Sequence, residues 1–364
     1  MSYASDLALL AAGSYWDIRQ DDNPNTPNDD SNRAPLPAGW KVLTQFDKSD
    51  AGATAVTDFS ARVYQNISTG ELVISYAGTE FDTASSVGTT ADFVNGNIPL
   101  ALGDYGSQAY RAAALYQEVK AAGLTSNIAF TGHSLGGGLA SIMAVWFNRP
   151  AYVYAPAPFQ RSADGNQLVD YYDAVDGQIT TIPADQIRVL PLVKAELLLK
   201  TGAIDPALAS YNPSSDFLTR ERNVQAWAVD GELLRKTLFA LNWIEGANAK
   251  LLFNNPTNSL HFINKHSIEL HAAALISNNF QSQASKIPGA VELIFDENFY
   301  GYGVTKNQQN FLVKLLRNEI GIRSDTGIVL QAANGMLTHF ANDLGKLGTN
   351  ISGLNEAAQD AIIA

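Results

Sequence analysis

The chain has 364 residues, of which 46% are hydrophobic and 16% charged, so it can bury a large core and is not expected to be disordered. Its formal net charge of −12 argues against binding of nucleic acid and against electrostatic docking on anionic membranes, because both need clustered Lys and Arg. The absence of cysteine excludes disulfides, thiolate nucleophiles and Cys-based zinc sites.

The first half of the chain alternates between strand and helix patterns. A helix is predicted over residues 1–15, and a surface loop over the Asp-, Asn- and Pro-rich residues 21–37. The patterns that follow are strands at 60–64 and 72–76, a helix at 108–122, a strand at 128–130, a helix at 139–147 and a strand at 151–154. This alternation predicts a mostly parallel sheet with helices on both faces.

The second half begins with a long insertion of mixed character over residues 160–222. A strand at 224–229 and helices at 267–276, 308–318 and 328–347 are predicted after it. We therefore expect a catalytic-type α/β domain over residues 1–290 and a helical C-terminal extension over residues 291–364, which could pack on the core.

The N-terminus gives no sign of a cleaved signal peptide, because residues 1–14 contain no basic start and carry Asp6 within their apolar run. No apolar stretch is long enough to span a bilayer. A soluble protein is expected.

The strongest motif is the pentapeptide Gly132-His133-Ser134-Leu135-Gly136, which has the form G-x-S-x-G. A predicted strand runs into it and a predicted helix runs out, as in the strained turn that exposes a nucleophilic serine. Ser134 is the predicted nucleophile, and the backbone N–H of Leu135 is the predicted first donor to an oxyanion. The competing interpretation is a glycine-rich turn that only joins strand to helix.

A serine nucleophile needs a base, and the chain has five histidines. In the chain order Ser, acid, His, the base comes late and ahead of a terminal helix, which favours His266. His261 is the second choice, on an apolar stretch. His133, beside the nucleophile, is expected to be structural, and His271 and His339 to be packing or surface residues.

The acid is expected at a strand end between Ser134 and His266. Asp230 and Glu232 both lie in the turn after the strand at 224–229 and could orient the imidazole. Either could also be an ordinary solvated side chain. Asp205 and Asp216, in the insertion, are weaker candidates.

Several segments together resemble the class 3 lipase family of α/β-hydrolases, in its bacterial lipase and phospholipase A1-like form. Tyr76-Ala77-Gly78-Thr79 resembles the family's F-R-G-T/S element, residues 92–93 (Asp-Phe) resemble its D-W, and residues 132–138 resemble its G-H-S-L-G-G. The resemblance implies an α/β-hydrolase fold and makes Thr79 the second oxyanion donor. Ala77 replaces the usual Arg. In place of the family's D-x-V-P acid motif stand residues 229–234, whose alignment favours Glu232 narrowly over Asp230.

The predicted function is hydrolysis of lipid esters, as an acylglycerol lipase or a phospholipase A1, through an acyl-enzyme on Ser134. Residues 81–103 lie where a lid would sit, so the substrate could be met at a lipid–water interface. No cofactor, metal or nucleic acid is predicted. The resemblance implies an extracellular location reached without a cleaved signal, with the cytoplasm as the alternative. A non-catalytic lipid- or protein-binding module on the same fold remains the alternative function.

Overall fold

The structure, a computed structural model, describes twelve parts of the chain. These are residues 1–16, 34–49, 59–78, 105–124, 127–164, 169–172, 179–182, 189–232, 249–253, 262–287, 294 and 311–351.

A mixed sheet forms the centre of the molecule. Within the described residues it has eight strands in the order β1-β3-β4-β5-β6-β9-β10, with β2 paired to β3. The strands of this sheet are β1 (Trp40–Val42), β2 (Lys48–Ser49), β3 (Ser60–Asn66), β4 (Leu72–Tyr76), β5 (Ile128–His133), β6 (Ala151–Tyr154), β9 (Val224–Ala228) and β10 (Ala249–Leu251). Pairing is antiparallel from β1 to β4 and parallel from β4 to β10. The carboxyl ends of five strands therefore meet at one edge.

The described helices are α1 (Tyr3–Ala12), α2 (Tyr105–Ala121), α3 (Leu135–Phe147), α4 (Gln160–Asp164), α5 (Val189–Thr201), α6 (Pro206–Ala209), α7 (Pro213–Glu221), α8 (Phe262–Lys265), α9 (Ile268–Ile276), α10 (Asn278–Lys286), α11 (Phe311–Ile320) and α12 (Met336–Ile351). Short 3-10 turns cover Gly13–Tyr15 and Thr44–Phe46. Two hairpins lie outside the central sheet, β7 (Val169–Tyr172) with β8 (Ile179–Ile182) and β11 (Ile322–Arg323) with β12 (Val329–Gln331).

The sheet separates two apolar cores because successive side chains of a strand point to opposite faces. Val73 and Ala129 lie in the core that contains α1, α9, α11 and α12. Their neighbours Ile74 and Phe130 lie in the core that contains α2 and α3. Both faces are therefore covered by helices, which explains why β4 and β5 are buried along their whole length and mostly apolar.

Helix α3 starts directly at the end of β5 and is buried over its full length, from Leu135 to Phe147. Its residues are almost all apolar or small, so it can pack against the sheet on one side and against α2 and α7 on the other. The turn between β5 and α3 is consequently fixed from both sides, and that turn carries Ser134.

The sheet order, the parallel strands and the strand–turn–helix unit confirm the predicted α/β-hydrolase fold. The predicted helix over residues 328–347 is wrong at its start. Residues Val329–Gln331 form β12, Gly335 has a left-handed φ of 72°, and α12 begins only at Met336. A short apolar run has no period long enough to distinguish a strand from a helix.

Candidate active site

Ser134 occupies a strained turn at the carboxyl edge of the sheet. Its backbone has φ 56° and ψ −127°, an unusual conformation for a residue other than glycine. The Ser134 N–H donates to the Tyr154 carbonyl (3.1 Å), and its own carbonyl accepts from Ala157 N–H (2.9 Å). The side chain of Ser134 makes no capping bond to α3 and is 6% exposed. The Ser134 hydroxyl is therefore not used to cap the helix that follows it.

Both glycines of the pentapeptide lie so close to other backbone atoms that no Cβ would fit. A Cβ on Gly132 would lie 2.3 Å from the Gly136 carbonyl oxygen, and one on Gly136 would lie 2.1 Å from the Tyr76 carbonyl oxygen. Both distances are far below any van der Waals contact. The end of β4 therefore lies directly against the turn, and a Cβ on Gly78 would lie 2.9 Å from Ser134 Cβ.

His266 and Glu232 form a buried pair. His266 Nδ1 lies 2.6 Å from Glu232 Oε2, and the two side chains are 4% and 0% exposed. An ionised carboxylate can only accept, so Nδ1 is the nitrogen that donates. In the neutral ring the other nitrogen of His266, Nε2, is then a lone-pair acceptor, and it finds no hydrogen-bond partner among the described residues.

His133 connects the Ser134 turn to the His266 loop. His133 Nε2 lies 2.6 Å from the His266 carbonyl oxygen, so Nε2 is the donor. In the neutral ring Nδ1 then accepts, at 2.8 Å, from the Tyr15 hydroxyl, whose oxygen accepts from the Gly78 N–H at 3.0 Å. The rings of His133 and His266 lie 4.7 Å apart. This chain of bonds holds the end of β4, the serine turn and the histidine loop together.

A third histidine near this pair, His271, has its pKa lowered by burial. His271 is completely buried on α9, and its Nδ1 lies 2.7 Å from the Ser267 carbonyl oxygen. Burial lowers the pKa of His271 to about 4, against the opposing effect of the Ser267 carbonyl. The imidazole of His271 is thus neutral near pH 7.

The remaining sequence candidates divide into three groups. Thr79, His261 and the predicted lid over residues 81–103 lie outside the described residues. His339 is exposed on α12, and Asp205 caps α6 and binds Lys120, so neither belongs to the cluster. Asp230 is half-buried, and its carboxylate contacts no donor in the part of the chain that the structure describes.

Sequence reasoning missed Tyr15 and gave His133 no specific partner. Tyr15 is 118 residues away from His133 in sequence, and nothing in a lone tyrosine at a helix end predicts that contact. Within the described residues, no three His, Asp or Glu side chains come together as a metal site would require. No helix there has the length and apolar character needed to cross a bilayer.

Residues 6–186, just under half of the chain, match a phospholipase-like family model, the Tle-like phospholipase domain. The match includes Ser134 with the strand and helix around it, and it ends before Glu232 and His266. A search for curated relatives finds no matching sequence.

Among solved structures, the chain is similar to a lipase from Rhizopus microsporus var. chinensis, with 16% identity over 43% of this chain and 57% of that chain and a TM-score of 0.29. It is also similar to the Lip2 lipase from Yarrowia lipolytica, with 14% identity over 69% of this chain and 77% of that chain and a TM-score of 0.34. A third is a variant of MDLA from Penicillium cyclopium, with 12% identity over 68% and 78% and a TM-score of 0.36. The chain thus spans little more than half of the Rhizopus lipase, and scores of this size carry no argument about substrate.

Proposed function

We propose that this chain is a serine carboxylester hydrolase that acts on lipid esters. The observation that carries the proposal is the buried His266–Glu232 pair. The His266 carbonyl accepts a hydrogen bond from His133, which directly precedes Ser134 in the strained strand-to-helix turn. A carboxylate behind a histidine holds the tautomer whose Nε2 can take a proton from a hydroxyl. Ser134 lies at the start of α3, where the helix N-terminus adds a partial positive charge.

In the proposed reaction, Ser134 Oγ bonds to the ester carbonyl carbon while its proton passes to His266 Nε2. The carbonyl π electrons move onto oxygen, which accepts from the Leu135 N–H and from Thr79. When the intermediate collapses, the C–O bond to the alcohol breaks and the leaving alcohol takes the proton from His266. Water then repeats the sequence on the acyl-enzyme, which releases the acid and restores Ser134.

Within ester hydrolases, the match of residues 6–186 to a phospholipase-like model favours phospholipid esters over acylglycerols. The resemblance of the serine segment to class 3 lipases supports ester hydrolysis and fits either substrate. A non-catalytic lipid- or protein-binding module on this fold is the competing function, and the following comparison distinguishes them.

Ester turnover by Ser134→Ala tests the proposal. With p-nitrophenyl esters and with a fluorogenic phospholipid, we expect kcat to fall by roughly 10⁴-fold or more, because the acyl-enzyme cannot form. Ser141→Ala is the matched control, since Ser141 lies on the same helix α3 and bonds only to the Gly137 carbonyl in the described structure. Equal rates for wild type and Ser134→Ala would leave the binding module as the function.

A further inference from the structure

A cleft lies between the turn that follows α1 and the β11–β12 hairpin. Its cavity volume is about 40 Å³, which leaves room only for a small group. The polar residues of its wall that matter here are Trp16, Arg62, Tyr64, Arg317, Arg323 and Asp325. Three guanidinium groups therefore line one cleft of a chain whose net charge is −12.

Among the three arginines of the cleft, Arg62 already has partners within the protein. It is 5% exposed and lies 3.2 Å from Asp47 Oδ2 and 3.2 Å from Asp325 Oδ2. Its guanidinium carbon also lies 4.9 Å from the centre of the Trp16 ring. Two carboxylates and one aromatic face therefore already satisfy Arg62, and it fixes Trp16 and Asp325 in the cleft wall.

Two other donor atoms in the cleft have no acceptor among the described residues. Trp16 Nε1 and Arg323 Nε are buried, and neither atom has a hydrogen-bond partner among the described residues. An indole N–H and a guanidinium N–H can only donate, so their unmet requirement is for an acceptor. The Tyr64 hydroxyl, buried beside Arg62, adds a third polar group to the same wall.

We propose that this cleft binds a phosphate group, either free on a small molecule or on the headgroup of a lipid. A phosphate offers several acceptor oxygens on one centre, and a guanidinium fork matches two of them. Arg323 is the specific donor because no carboxylate of the described residues neutralises it, and Trp16 supplies the neutral donor. The site is separate from Ser134, although Tyr15 contributes to both the cleft wall and the bond to His133.

Titration of the full chain with inorganic phosphate, at constant ionic strength maintained with chloride, tests the site. Wild type should bind with a Kd of about 1 mM or tighter. Arg323→Gln should bind about tenfold more weakly, since it loses a charge-assisted bond. Lys314→Gln is the control, because it removes one positive charge from an exposed position of the neighbouring α11 and should change Kd less than about twofold.

Equal weakening by the two variants, or no saturable binding to wild type, would overturn the proposal. Thermal unfolding in the absence of phosphate shows whether each variant is folded. Arg323→Lys provides a second measurement, since it keeps the charge but loses the fork and should bind with intermediate affinity. If Arg323→Lys bound no better than Arg323→Gln while wild type bound well, the fork would be the recognised feature, and the proposal would stand.

The source of the phosphate is decided by two further probes, glycerol 3-phosphate and vesicles of phosphatidylglycerol compared with phosphatidylcholine. Binding of the soluble monoester that depends on Arg323 identifies a small-molecule site. Sedimentation with phosphatidylglycerol vesicles that depends on Arg323 identifies a headgroup site. If neither probe depends on Arg323, the proposal fails. All of these measurements can be repeated in Ser134→Ala, whose cleft is unchanged, so they do not depend on the proposed hydrolase activity.

Discussion

At the scale of single residues, the backbone of Ser134 stores strain that the fold has to support. A non-glycine residue with φ 56° and ψ −127° costs about 1–3 kcal/mol. The two backbone bonds to Tyr154 and Ala157, together with the clamped glycines, hold it there. Such strain persists where geometry matters more than stability, which is consistent with a reactive hydroxyl at this position.

The choice of acid can be tested by parallel substitutions at Glu232 and Asp230. We expect Glu232→Gln to lower kcat by roughly 10³–10⁴-fold, because the wrong tautomer of His266 would be favoured. Asp230→Asn should change kcat less than about threefold, because its carboxylate contacts no donor in the described structure. Rates of ester hydrolysis at pH 7–8 provide the measurement.

The reverse pattern, with Asp230→Asn inactive and Glu232→Gln active, would contradict this assignment. Chain order alone could not choose between the two acids, because both follow β9 within four residues. What distinguishes them is Gly231, whose left-handed φ of 68° turns the chain between them, and the bond from Glu232 N–H to the Val229 carbonyl. The Glu232 side chain then points inward, against His266. Its role as the acid stays a proposal.

At the scale of elements, the serine turn depends on direct backbone contact between β4 and the start of α3. Gly136→Ala should destabilise the protein by more than about 3 kcal/mol, because the new Cβ would lie 2.1 Å from the Tyr76 carbonyl oxygen and backbone cannot move aside cheaply. Gly345→Ala, within α12, meets nothing closer than 3.5 Å and should stabilise by roughly 0.5–1 kcal/mol. Urea unfolding of the two variants measures both effects, and a Gly136→Ala protein as stable as wild type would show that the turn can relax.

The buried elements were the ones that sequence could predict. The strand patterns at 72–76 and 151–154 match β4 and β6 residue for residue, because strands covered on both faces are mostly apolar. Helix α3 starts at Leu135, four residues before the predicted start, because its first turn is made of glycines that carry no helical pattern. The hairpin β11–β12 was missed because its apolar residues Ile328, Val329 and Leu330 are exposed rather than packed in a period.

At the scale of the whole molecule, the C-terminal helices share a core with the N-terminus. Leu312, Leu316 and Leu337 belong to the same apolar cluster as Leu7 and Leu10 of α1. Helix α12 packs on α10, and α11 packs on α9. The division into residues 1–290 and 291–364 stays a prediction, and the shared cluster favours an extension that is packed on the core.

The stability of the whole molecule should depend on pH through His271. Its pKa is about 4 in the folded state and near 6.5 when the chain is unfolded, so between these values the unfolded chain binds a proton that the folded chain excludes. The free energy of unfolding should therefore fall by about 3 kcal/mol from this residue as pH drops from 6.5 to 4. Above about pH 7.5, where the imidazole is neutral in both states, the residue contributes no pH dependence.

Urea unfolding of His271→Leu and of wild type across pH 4–7.5 isolates this contribution, since the carboxyl groups titrate in both proteins. The variant should lose less stability on acidification than wild type. His339→Gln is the control, because His339 is exposed on α12 and its substitution should leave the wild-type pH dependence unchanged. If the free energy of unfolding changed equally with pH in His271→Leu and wild type, the pKa of His271 would be the same in the folded and unfolded protein.

Covalent trapping shows whether the Ser134 hydroxyl is a nucleophile that His266 activates. A phosphonate ester with a long acyl-like chain, followed by peptide mass mapping, should give one adduct on Ser134 in wild type. Labelling should be lost in Ser134→Ala and slowed by roughly 10³-fold or more in His266→Gln. An adduct on another residue, or wild type that stays unlabelled while a known serine esterase reacts in the same tube, would contradict the account.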